Sequence, residues 1–308
     1  MPSQKIGFYG LGRMGFNIVL NLHSKNISVV ASNRSAEPID EIKKHNVDVS
    51  YSVEELVKKL PEQKIIWIMV TAGNPVDMVI EKMLPNLKEG DIIIDGGNSF
   101  YKDSVRRYNE MKKKKIHFID CGTSGGLEGA RNGACLTIGG DKEVFKKLEW
   151  LFSSIATKDG YLYTGSAGSG HFVKMVHNGI EYALLQSYSE GFSILEKSPY
   201  ALDFEKISKV WSHGSVIRSW MTELSERAFK KDAKLSKIEG IIGGGETGRW
   251  SLETAKELGV SADMLGRALE LRKKSQTNPS FSGKVVAALR NEFGGHEVVK
   301  KKKKFGNL

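Results

Sequence analysis

A glycine-rich segment near the N-terminus constrains the fold more than any other feature. The short apolar stretch Lys5 to Tyr9 leads directly into Gly10-Leu11-Gly12-Arg13-Met14-Gly15, where a helical pattern begins. In a strand-to-helix connection, Gly10 allows a tight turn, Gly12 lets a ligand approach the backbone, and Gly15 lets the helix pack on the strand. Unpaired N–H groups at the helix start favour an anion. The segment predicts a pyrophosphate site for a dinucleotide; a purely structural turn is the alternative.

The residues after the second predicted strand bear on the choice of dinucleotide. Ile27 to Ser32 is apolar and is followed by Asn33-Arg34-Ser35, 21 residues after Gly12. An acid here would bind the ribose 2′-OH of NAD, whereas an arginine suits the 2′-phosphate of NADP. There is no acid, so NADP is favoured and NAD stays possible. Alternatively, Arg34 is a surface cation that sets only a weak preference.

Continuous apolar runs alternate with helical patterns through the first half of the chain. Such runs are typical of strands buried on both faces of a parallel sheet. The predicted strands are Lys5 to Tyr9, Ile27 to Ser32, Ile65 to Val70, Asp91 to Asp95, His117 to Asp120 and Ala134 to Ile138. The alternation predicts a Rossmann-type α/β domain with a doubly wound parallel sheet over residues 1–165.

The pattern changes after residue 165, where a glycine- and serine-rich turn, Thr164 to Gly170, precedes long helical stretches. Few strand candidates follow. The predicted helices are His171 to Leu195, Phe204 to His213, Val216 to Phe229, Ser251 to Leu258 and Ala262 to Lys274. We therefore expect an all-α substrate and oligomerisation domain over residues 166–308.

Composition narrows the possible functions of the 308-residue chain, whose net charge is +10. No apolar run approaches the roughly 18 residues that a membrane span needs, and no signal peptide precedes the first strand, so we expect a cytoplasmic protein. Cys121 and Cys135 lack metal-type spacing; we expect reduced thiols and no metal. The lysine runs 112–115 and 300–304 lack interleaved aromatics, so we expect solvated charge rather than nucleic-acid binding. The remaining positive charge suits a small anionic substrate.

The segment Gly168 to Tyr182 is the most informative in the chain. It contains Lys174, His177, Asn178 and Glu181 at positions i, i+3, i+4 and i+7, which share one face of a helix over two turns. An ordinary surface helix is the alternative, but His and Asn beside Lys and Glu after a glycine turn favour a chemical role. The intervening apolar residues are expected to point elsewhere and pack: Val173, Val176 and Ile180.

This segment resembles the signature helix of the 6-phosphogluconate dehydrogenases, a family of the β-hydroxyacid dehydrogenase superfamily. Three more segments are similar to motifs of that family: Asp95 to Ser99, Gly122 to Arg131, and Arg290 to His296. The similar segments extend over nearly the whole chain. Its length resembles the short bacterial and archaeal form.

The resemblance implies oxidative decarboxylation of 6-phospho-D-gluconate to D-ribulose 5-phosphate and CO2, with reduction of NADP or NAD. Lys174 would be the general base at the C3 hydroxyl, and Glu181 the general acid that protonates the enediol. A lysine acts as a base only when neutral, so burial or neighbouring cations would have to lower its pKa from about 10.4 toward about 7.

The resemblance also implies the binding residues. The substrate's hydroxyls and carboxylate would be held by Asn98, Ser124, Gly125, Gly126, His177 and Asn178. Its phosphate would be held by Tyr182 and Arg272 and, from a neighbouring subunit, by Arg290, with His296 also reaching in. The cofactor would contact Gly10, Leu11, Gly12, Arg13, Met14, Gly15, Asn33, Arg34, Ser35, Val70, Ala72 and Asn98. If the C-terminal tail of one subunit completes the site of another, the protein is expected to be a homodimer or homotetramer.

Two positions depart from the family pattern. Gly245 stands where the family's common form has a phosphate-binding lysine, which makes the role of Thr247 less certain; Arg249 is either a replacement cation or a structural residue. The loop Val70 to Gly73 has Thr71 where a lysine is frequent. These departures concern phosphate contacts and affinity more than the reaction.

Two other functions stay open. An enzyme of the 3-hydroxyisobutyrate type would share the fold and Lys174, but it has no need of a proton donor such as Glu181 or of the Arg290 and His296 tail. A non-catalytic dinucleotide-binding protein would have little need of either Lys174 or Glu181.

Overall fold

The computed structural model describes residues 5–301 and arranges the N-terminal part around a single sheet. The strands described are β1 (Lys5–Tyr9), β2 (Ser28–Ser32), β3 (Asp48–Ser50), β4 (Ile65–Ile68), β5 (Ile92–Asp95), β6 (His117–Ser124), β7 (Ala134–Gly139) and β8 (Ala156–Gly165). Their spatial order is β3-β2-β1-β4-β5-β6-β7-β8. The first six strands are parallel, which confirms the predicted doubly wound α/β domain.

Helices cover both faces of this sheet. They are α1 (Arg13–Ser24), α2 (Ala36–Lys43), α3 (Val53–Lys58), α4 (Asn74–Met83), α5 (Tyr101–Lys113), α6 (Gly126–Asn132) and α7 (Lys142–Ile155). Successive residues of β5 show the two-sided burial, because Ile92 and Ile94 pack in one hydrophobic cluster and Ile93 packs in the other. Side chains alternate across a strand, so an uninterrupted apolar run requires a cover on each face.

Two features of the sheet differ from the sequence prediction. β3 and β8 were not predicted, because β3 has only three residues and β8 is largely polar. The sheet is parallel except at one end, where β7 runs antiparallel to β6 and β8 continues parallel to β7. The short helix α6 and its flanking glycines reverse the chain between β6 and β7, which places these strands side by side without a crossover.

The C-terminal part is helical, as predicted. Its helices are α8 (Ser169–Lys197), α9 (Phe204–Ser212), α10 (Trp220–Lys231), α11 (Glu246–Glu257), α12 (Asp263–Lys274) and α13 (Phe281–Gly294). Buried side chains of this part form one cluster that includes Leu185, Phe192, Phe229 and Leu289. Between residues 177 and 301, the only β-type pairing described is an isolated bridge between Ile238 and Lys300.

The chain divides into two compact units between Val176 and His177, inside α8. We call these the sheet unit and the helical unit. The sequence predicted a boundary at residue 165, just before α8. The first turns of α8 belong with the sheet unit because Gly170 packs on it: a Cβ at Gly170 would lie 2.6 Å from the carbonyl oxygens of Asp120 and Thr137.

None of the helices described between residues 5 and 301 has the length and apolar content needed to cross a bilayer.

Candidate active site

The glycine-rich connection between β1 and α1 has the geometry expected of a pyrophosphate cradle. Gly10 has φ +113, and a Cβ there would lie 2.2 Å from the carbonyl oxygen of Met69. A Cβ at Gly15 would lie 2.0 Å from the carbonyl oxygen of Gly10, so both positions require glycine. Gly12 faces open space among the described residues, and no side chain caps this end of α1. The exposed first turn therefore suits a dinucleotide phosphate.

The residues after β2 contact the same loop. The Asn33 side-chain oxygen accepts a hydrogen bond from the backbone N–H of Leu11 at 3.0 Å, and its amide donates to the Ser35 hydroxyl at 3.1 Å. Burial raises the pKa of Tyr9, whereas the positive charge of Arg34 acts in the opposite direction. The Arg34 side chain is exposed.

A buried carboxylate on β6 fixes the start of α8. Asp120 is fully buried and accepts hydrogen bonds from the backbone N–H groups of Gly168 at 2.7 Å and His171 at 2.8 Å. The Thr137 hydroxyl donates to the carbonyl oxygen of Gly170 at 2.8 Å. A carboxylate at a helix N-terminus satisfies N–H groups that lack partners within the helix and interacts favourably with the helix dipole. These bonds hold the first turn of α8 on β6 and β7.

Lys174 lies in the next turn of α8 and is 8% exposed. A Cβ at Gly122 would lie 2.3 Å from the Cβ of Lys174 and 2.7 Å from the Thr137 hydroxyl. The strand backbone at Gly122 therefore lies directly against the stem of Lys174. A side chain at this one position would collide with the stem of Lys174.

The four chemically distinctive residues of the predicted helix are all in α8 and share one face by their spacing. Asn178 is buried, Glu181 is half-buried and His177 is exposed, and His177 Nδ1 lies 3.1 Å from the Asn178 side-chain oxygen. The expectation that the intervening apolar residues pack is wrong for the described chain. They are exposed instead, by 40% for Val173, 41% for Val176 and 58% for Ile180.

Three loops of the sheet unit meet at the carboxyl end of its strands. Asp95 accepts hydrogen bonds from Gly97 N–H at 3.1 Å and from the Ser99 hydroxyl at 2.7 Å, which shapes the turn that contains Asn98. A Cβ at Gly97 would lie 3.1 Å from the carbonyl oxygen of Val70, so this turn lies beside the 70–73 loop. The Thr123 hydroxyl donates to Gly96 O at 3.1 Å. This bond connects the third loop, residues 124–126, to the turn that contains Asn98. Ligands of open α/β sheets bind at this edge.

A cluster of polar side chains in the helical unit is suited to a phosphate. The Tyr182 and Thr247 hydroxyls lie 3.1 Å apart, and the guanidinium carbon of Arg272 lies 3.9 Å from the Tyr182 ring centroid. Nη1 of Arg272 is buried without a hydrogen-bond partner among the described residues. A buried guanidinium N–H without a partner is costly, and a phosphate oxygen is the acceptor that matches it best. A Cβ at Gly248 would lie 2.2 Å from the Tyr182 ring, so this glycine is needed for the arrangement.

Arg290 lies against the glycine loop that precedes α11. A Cβ at Gly244 would lie 3.0 Å from Arg290 Nη2, and one at Gly245 would lie 3.6 Å from Arg272 Cδ. The two arginines therefore flank one loop of a single chain. His296 also lies on its own chain, 5.8 Å from Phe293 between ring centroids. The predicted reach of Arg290 and His296 into a neighbouring subunit stays a prediction.

Arg249 lies on a different side of α11 from Thr247. Thr247 is buried on α11, whereas Arg249 is exposed. Residues two apart on a helix point to nearly opposite sides, at about 100° per residue. Arg290 does lie against the glycine loop, and the sequence could not place it there because it is 45 positions from Gly245.

Both cysteines are free, in agreement with the expectation of reduced thiols. Cys121 is buried, and its pKa is raised well above the ordinary value, first by burial and then by the charge of Asp120. Over the described range 5–301, no group of three or more His, Cys, Asp or Glu side chains is arranged to hold a metal ion.

Sequence reasoning missed three residues that support the site: Asp120, Thr137 and Arg107. Each lies outside the predicted motif positions. A signal was nevertheless present for Asp120 and Arg107, because an ionisable residue inside an apolar strand or on a helix beside a sheet must find a partner when it is buried.

Two family descriptions match nearly the whole chain. The NAD binding domain of 6-phosphogluconate dehydrogenase matches residues 5–165, and the 6-phosphogluconate dehydrogenase C-terminal domain matches residues 170–306.

Individual relatives agree with these matches. A Bacillus subtilis (strain 168) protein with the provisional name 6-phosphogluconate dehydrogenase YqeC is 49% identical over 297 residues, which is 96% of this chain and 100% of the relative. The NAD(+)-dependent, decarboxylating 6-phosphogluconate dehydrogenase of Haloferax volcanii is 40% identical over 299 residues, covering 96% and 99%. The NADP(+)-dependent B. subtilis enzyme is 39% identical, and the match covers 88% of this chain but 61% of that longer relative.

Solved structures show the same relationship. Plasmodium falciparum 6-phosphogluconate dehydrogenase superposes with a TM-score of 0.80 at 33% identity, covering 88% of this chain and 62% of that one. A Mycobacterium tuberculosis 3-hydroxyisobutyrate dehydrogenase superposes with a TM-score of 0.72 at 18% identity, covering 92% and 98%. The second match shows a common fold and nothing more specific.

Replacing Gly122 by Ala should displace Lys174 and reduce turnover. A misplacement of about 1 Å at a reacting group costs on the order of 100-fold in rate, and overpacking costs about 1–3 kcal/mol of stability. Gly191→Ala, later in α8, is the control because a Cβ there meets nothing within 4 Å. It should stabilise the helix slightly and leave the rate unchanged. Turnover and thermal unfolding of both variants test this; equal activity in the two would contradict it.

Proposed function

The chain belongs to the 6-phosphogluconate dehydrogenase family, and from that membership we propose that it converts 6-phospho-D-gluconate to D-ribulose 5-phosphate and CO2 with reduction of NADP. The observation that supports this most directly is the arrangement of α8. Lys174 is buried against the strand backbone, and Glu181 follows two turns later on the same face of the helix.

Lys174 begins the reaction by accepting the proton of the C3 hydroxyl. The nicotinamide of the cofactor would supply the acceptor for the hydride of C3. To act as a general base, this lysine has to start as the neutral amine. The protonated lysine then faces the C3 oxygen, where it stabilises the negative charge that develops as the carboxylate leaves as CO2.

Glu181 completes the reaction as the proton donor. Loss of CO2 leaves an enediol, whose terminal carbon must gain a proton to become C1 of ribulose 5-phosphate. A carboxylic acid two helical turns from the base can protonate a second carbon of the same extended substrate. A dehydrogenase without decarboxylation has no such carbon to protonate.

The remaining polar residues bind the sugar acid. Its hydroxyls and carboxylate are assigned to Asn98, Ser124, Gly125, Gly126, His177 and Asn178. They offer polar side chains and backbone N–H groups as hydrogen-bonding partners. Some of them are in the loops of the sheet unit and some are in α8. Such groups orient a polyhydroxyl chain with directional hydrogen bonds.

The substrate phosphate is assigned to the cluster in the helical unit, with Arg272 as its main cation and Arg290 as the substitute for the missing lysine. Tyr182 and Thr247 contribute hydroxyl donors beside the N-terminus of α11, which also favours an anion. This cluster favours 6-phosphogluconate over the small acid of a 3-hydroxyisobutyrate-type enzyme, because a substrate without phosphate would leave buried Arg272 without a counterion.

NADP is the proposed cofactor, with Arg34 as the residue that binds its 2′-phosphate. Relatives include both an NAD(+)-dependent and an NADP(+)-dependent enzyme, so the family does not decide the preference. Support comes from the absence of an acid at Asn33-Arg34-Ser35 and from the hydrogen bond between Asn33 and the backbone of Leu11 in the glycine-rich loop. The cytoplasmic location expected from the sequence stays a prediction.

We also assign the active form to a homodimer or homotetramer. Val173, Val176, Ile180 and Leu184 form an exposed apolar row along α8. A second copy would cover such a row, since exposed apolar rows mark interaction surfaces. Sedimentation equilibrium should give two or four times the chain mass of 34.1 kDa. A monomer mass under assay conditions would contradict this assignment.

The central experiment follows absorbance at 340 nm with 6-phosphogluconate and either NADP or NAD. Wild type should reduce the cofactor, and Lys174→Ala should lower the rate by about 100- to 10,000-fold, the usual contribution of a general base. Circular dichroism should show that the variant is folded. No reduction by folded wild type with either cofactor would refute the proposed substrate, and small β-hydroxy acids would then be tested.

Arg272→Met should raise the KM for 6-phosphogluconate by about 10- to 100-fold, because hydrogen bonds to charged groups contribute about 1.5–3 kcal/mol. Arg249→Met is the matched control, since it removes an exposed guanidinium two residues from Thr247 and should leave the KM unchanged. If the two variants behaved alike, the phosphate cluster would be misassigned.

Arg34→Ala should lower kcat/KM for NADP by about 10-fold or more and change that for NAD by less than about 2-fold. The reason is that only NADP has the 2′-phosphate to which the guanidinium would bind. Steady-state kinetics with both cofactors measures the effect. An equal loss for both would show that Arg34 contacts a part they share.

A further inference from the structure

Arg107 of α5 is a charged residue that the proposed reaction does not use, yet its side chain is only 1% exposed. Its Nε donates to Asp77 Oδ1 at 2.7 Å, and its Nη2 donates to Asp77 Oδ2 at 3.1 Å. The same Nη2 donates to the carbonyl oxygen of Gly73 at 2.9 Å. One edge of the guanidinium thus holds the end of the 70–73 loop and the first turn of α4.

The other terminal nitrogen of the Arg107 guanidinium faces a second loop. Arg107 Nη1 donates to Asp95 Oδ2 at 3.4 Å, and this fully buried carboxylate also accepts the hydrogen bonds from Gly97 and Ser99. Asp95 therefore links Arg107 by hydrogen bonds to the turn that contains Asn98. One buried cation contacts both segments, although they are separated by about twenty residues in sequence.

We propose that Arg107 is a positioning residue that holds the 70–73 loop and the Asn98 turn in the geometry required by the nicotinamide end of the cofactor. The proposal rests on the cofactor contacts assigned to Val70, Ala72 and Asn98, all of which lie in these two segments. Arg107 itself touches neither cofactor nor substrate in this assignment.

The chemistry of the guanidinium explains why an arginine is needed. Its planar fork donates in fixed directions to two carboxylates and one carbonyl at once, whereas an ammonium is a point charge that cannot reproduce that geometry. Burial raises the pKa of Asp77. Hydrogen bonds from Arg107 and Arg106 lower it by more, so the pKa lies below its ordinary value. The carboxylate is thus charged when the loops are in place.

The neighbouring Arg106 provides a matched control. It also contacts Asp77, at 2.9 Å, but its side chain is 43% exposed and its other partners are Asp103 and Glu110 on the same helix. Among residues 5–301, its hydrogen bonds and ion pairs include neither Gly73 nor Asp95. Removing Arg106 therefore removes one cation from Asp77 without releasing the second loop.

The experiment compares ligands that differ only in the nicotinamide. Calorimetry would measure NADP against 2′-phospho-ADP-ribose, and NAD against ADP-ribose, for wild type, Arg107→Met and Arg106→Met. Arg107→Met should weaken the binding of the dinucleotide by about 10-fold or more and that of the matched fragment by less than about 2-fold. Arg106→Met should change neither by more than about 2-fold. Because no sugar acid is present, the outcome is independent of the proposed reaction.

Two results would overturn the proposal. Equal weakening of dinucleotide and fragment by Arg107→Met would indicate a general structural role, and unchanged binding of both would show that the loops do not need the contact. If Arg107→Met does not fold, Arg107→Lys preserves the charge but not the fork. That variant should still lose dinucleotide affinity selectively; wild-type affinity in Arg107→Lys would also contradict the proposal.

Discussion

The contact between the first turn of α8 and strands β6 and β7 is the interaction on which the proposed chemistry depends. Asp120 caps the helix, Thr137 holds its second residue, and glycines at 122 and 170 allow helix and strand backbones to approach closely. A buried carboxylate is costly unless its oxygens are hydrogen-bonded, and here the N–H groups of the helix start supply those bonds. The helix with the proposed base is thereby fixed to the sheet that binds the cofactor.

The same principle recurs at the other buried charges. Arg107 is held by two carboxylates and a carbonyl, whereas Arg272 stacks on Tyr182 and keeps one buried nitrogen without a described partner. Fully satisfied charges stabilise one backbone geometry. A partly satisfied one marks a place where a ligand gains affinity by supplying the missing acceptor. This difference distinguishes the proposed positioning residue from the proposed binding residue.

Much of the fold could be predicted from the sequence, because local patterns report it directly. The apolar runs of β1, β2, β4, β5 and β6 and the glycines at 10 and 15 each require a particular backbone environment. The antiparallel turn into β7 and the strand β8 could not be predicted, since pairing at a sheet edge depends on tertiary contacts rather than on an apolar run. Sequence spacing likewise predicted the face of α8 but not the exposure of Val173, Val176 and Ile180, because a helix face does not specify what covers it.

For the candidate site, spacing within one helix singled out Lys174 and Glu181, whose roles stay predictions. The partners of Arg107 and Arg290 come from distant segments that only the folded chain brings together. The central claim is that hydride transfer is followed by loss of the substrate carboxylate. The most direct measurement is the ratio of CO2 released to cofactor reduced, with 6-phosphogluconate labelled at C1. We predict one CO2 for each reduced cofactor; reduction of the cofactor with the label retained in the acid would contradict it.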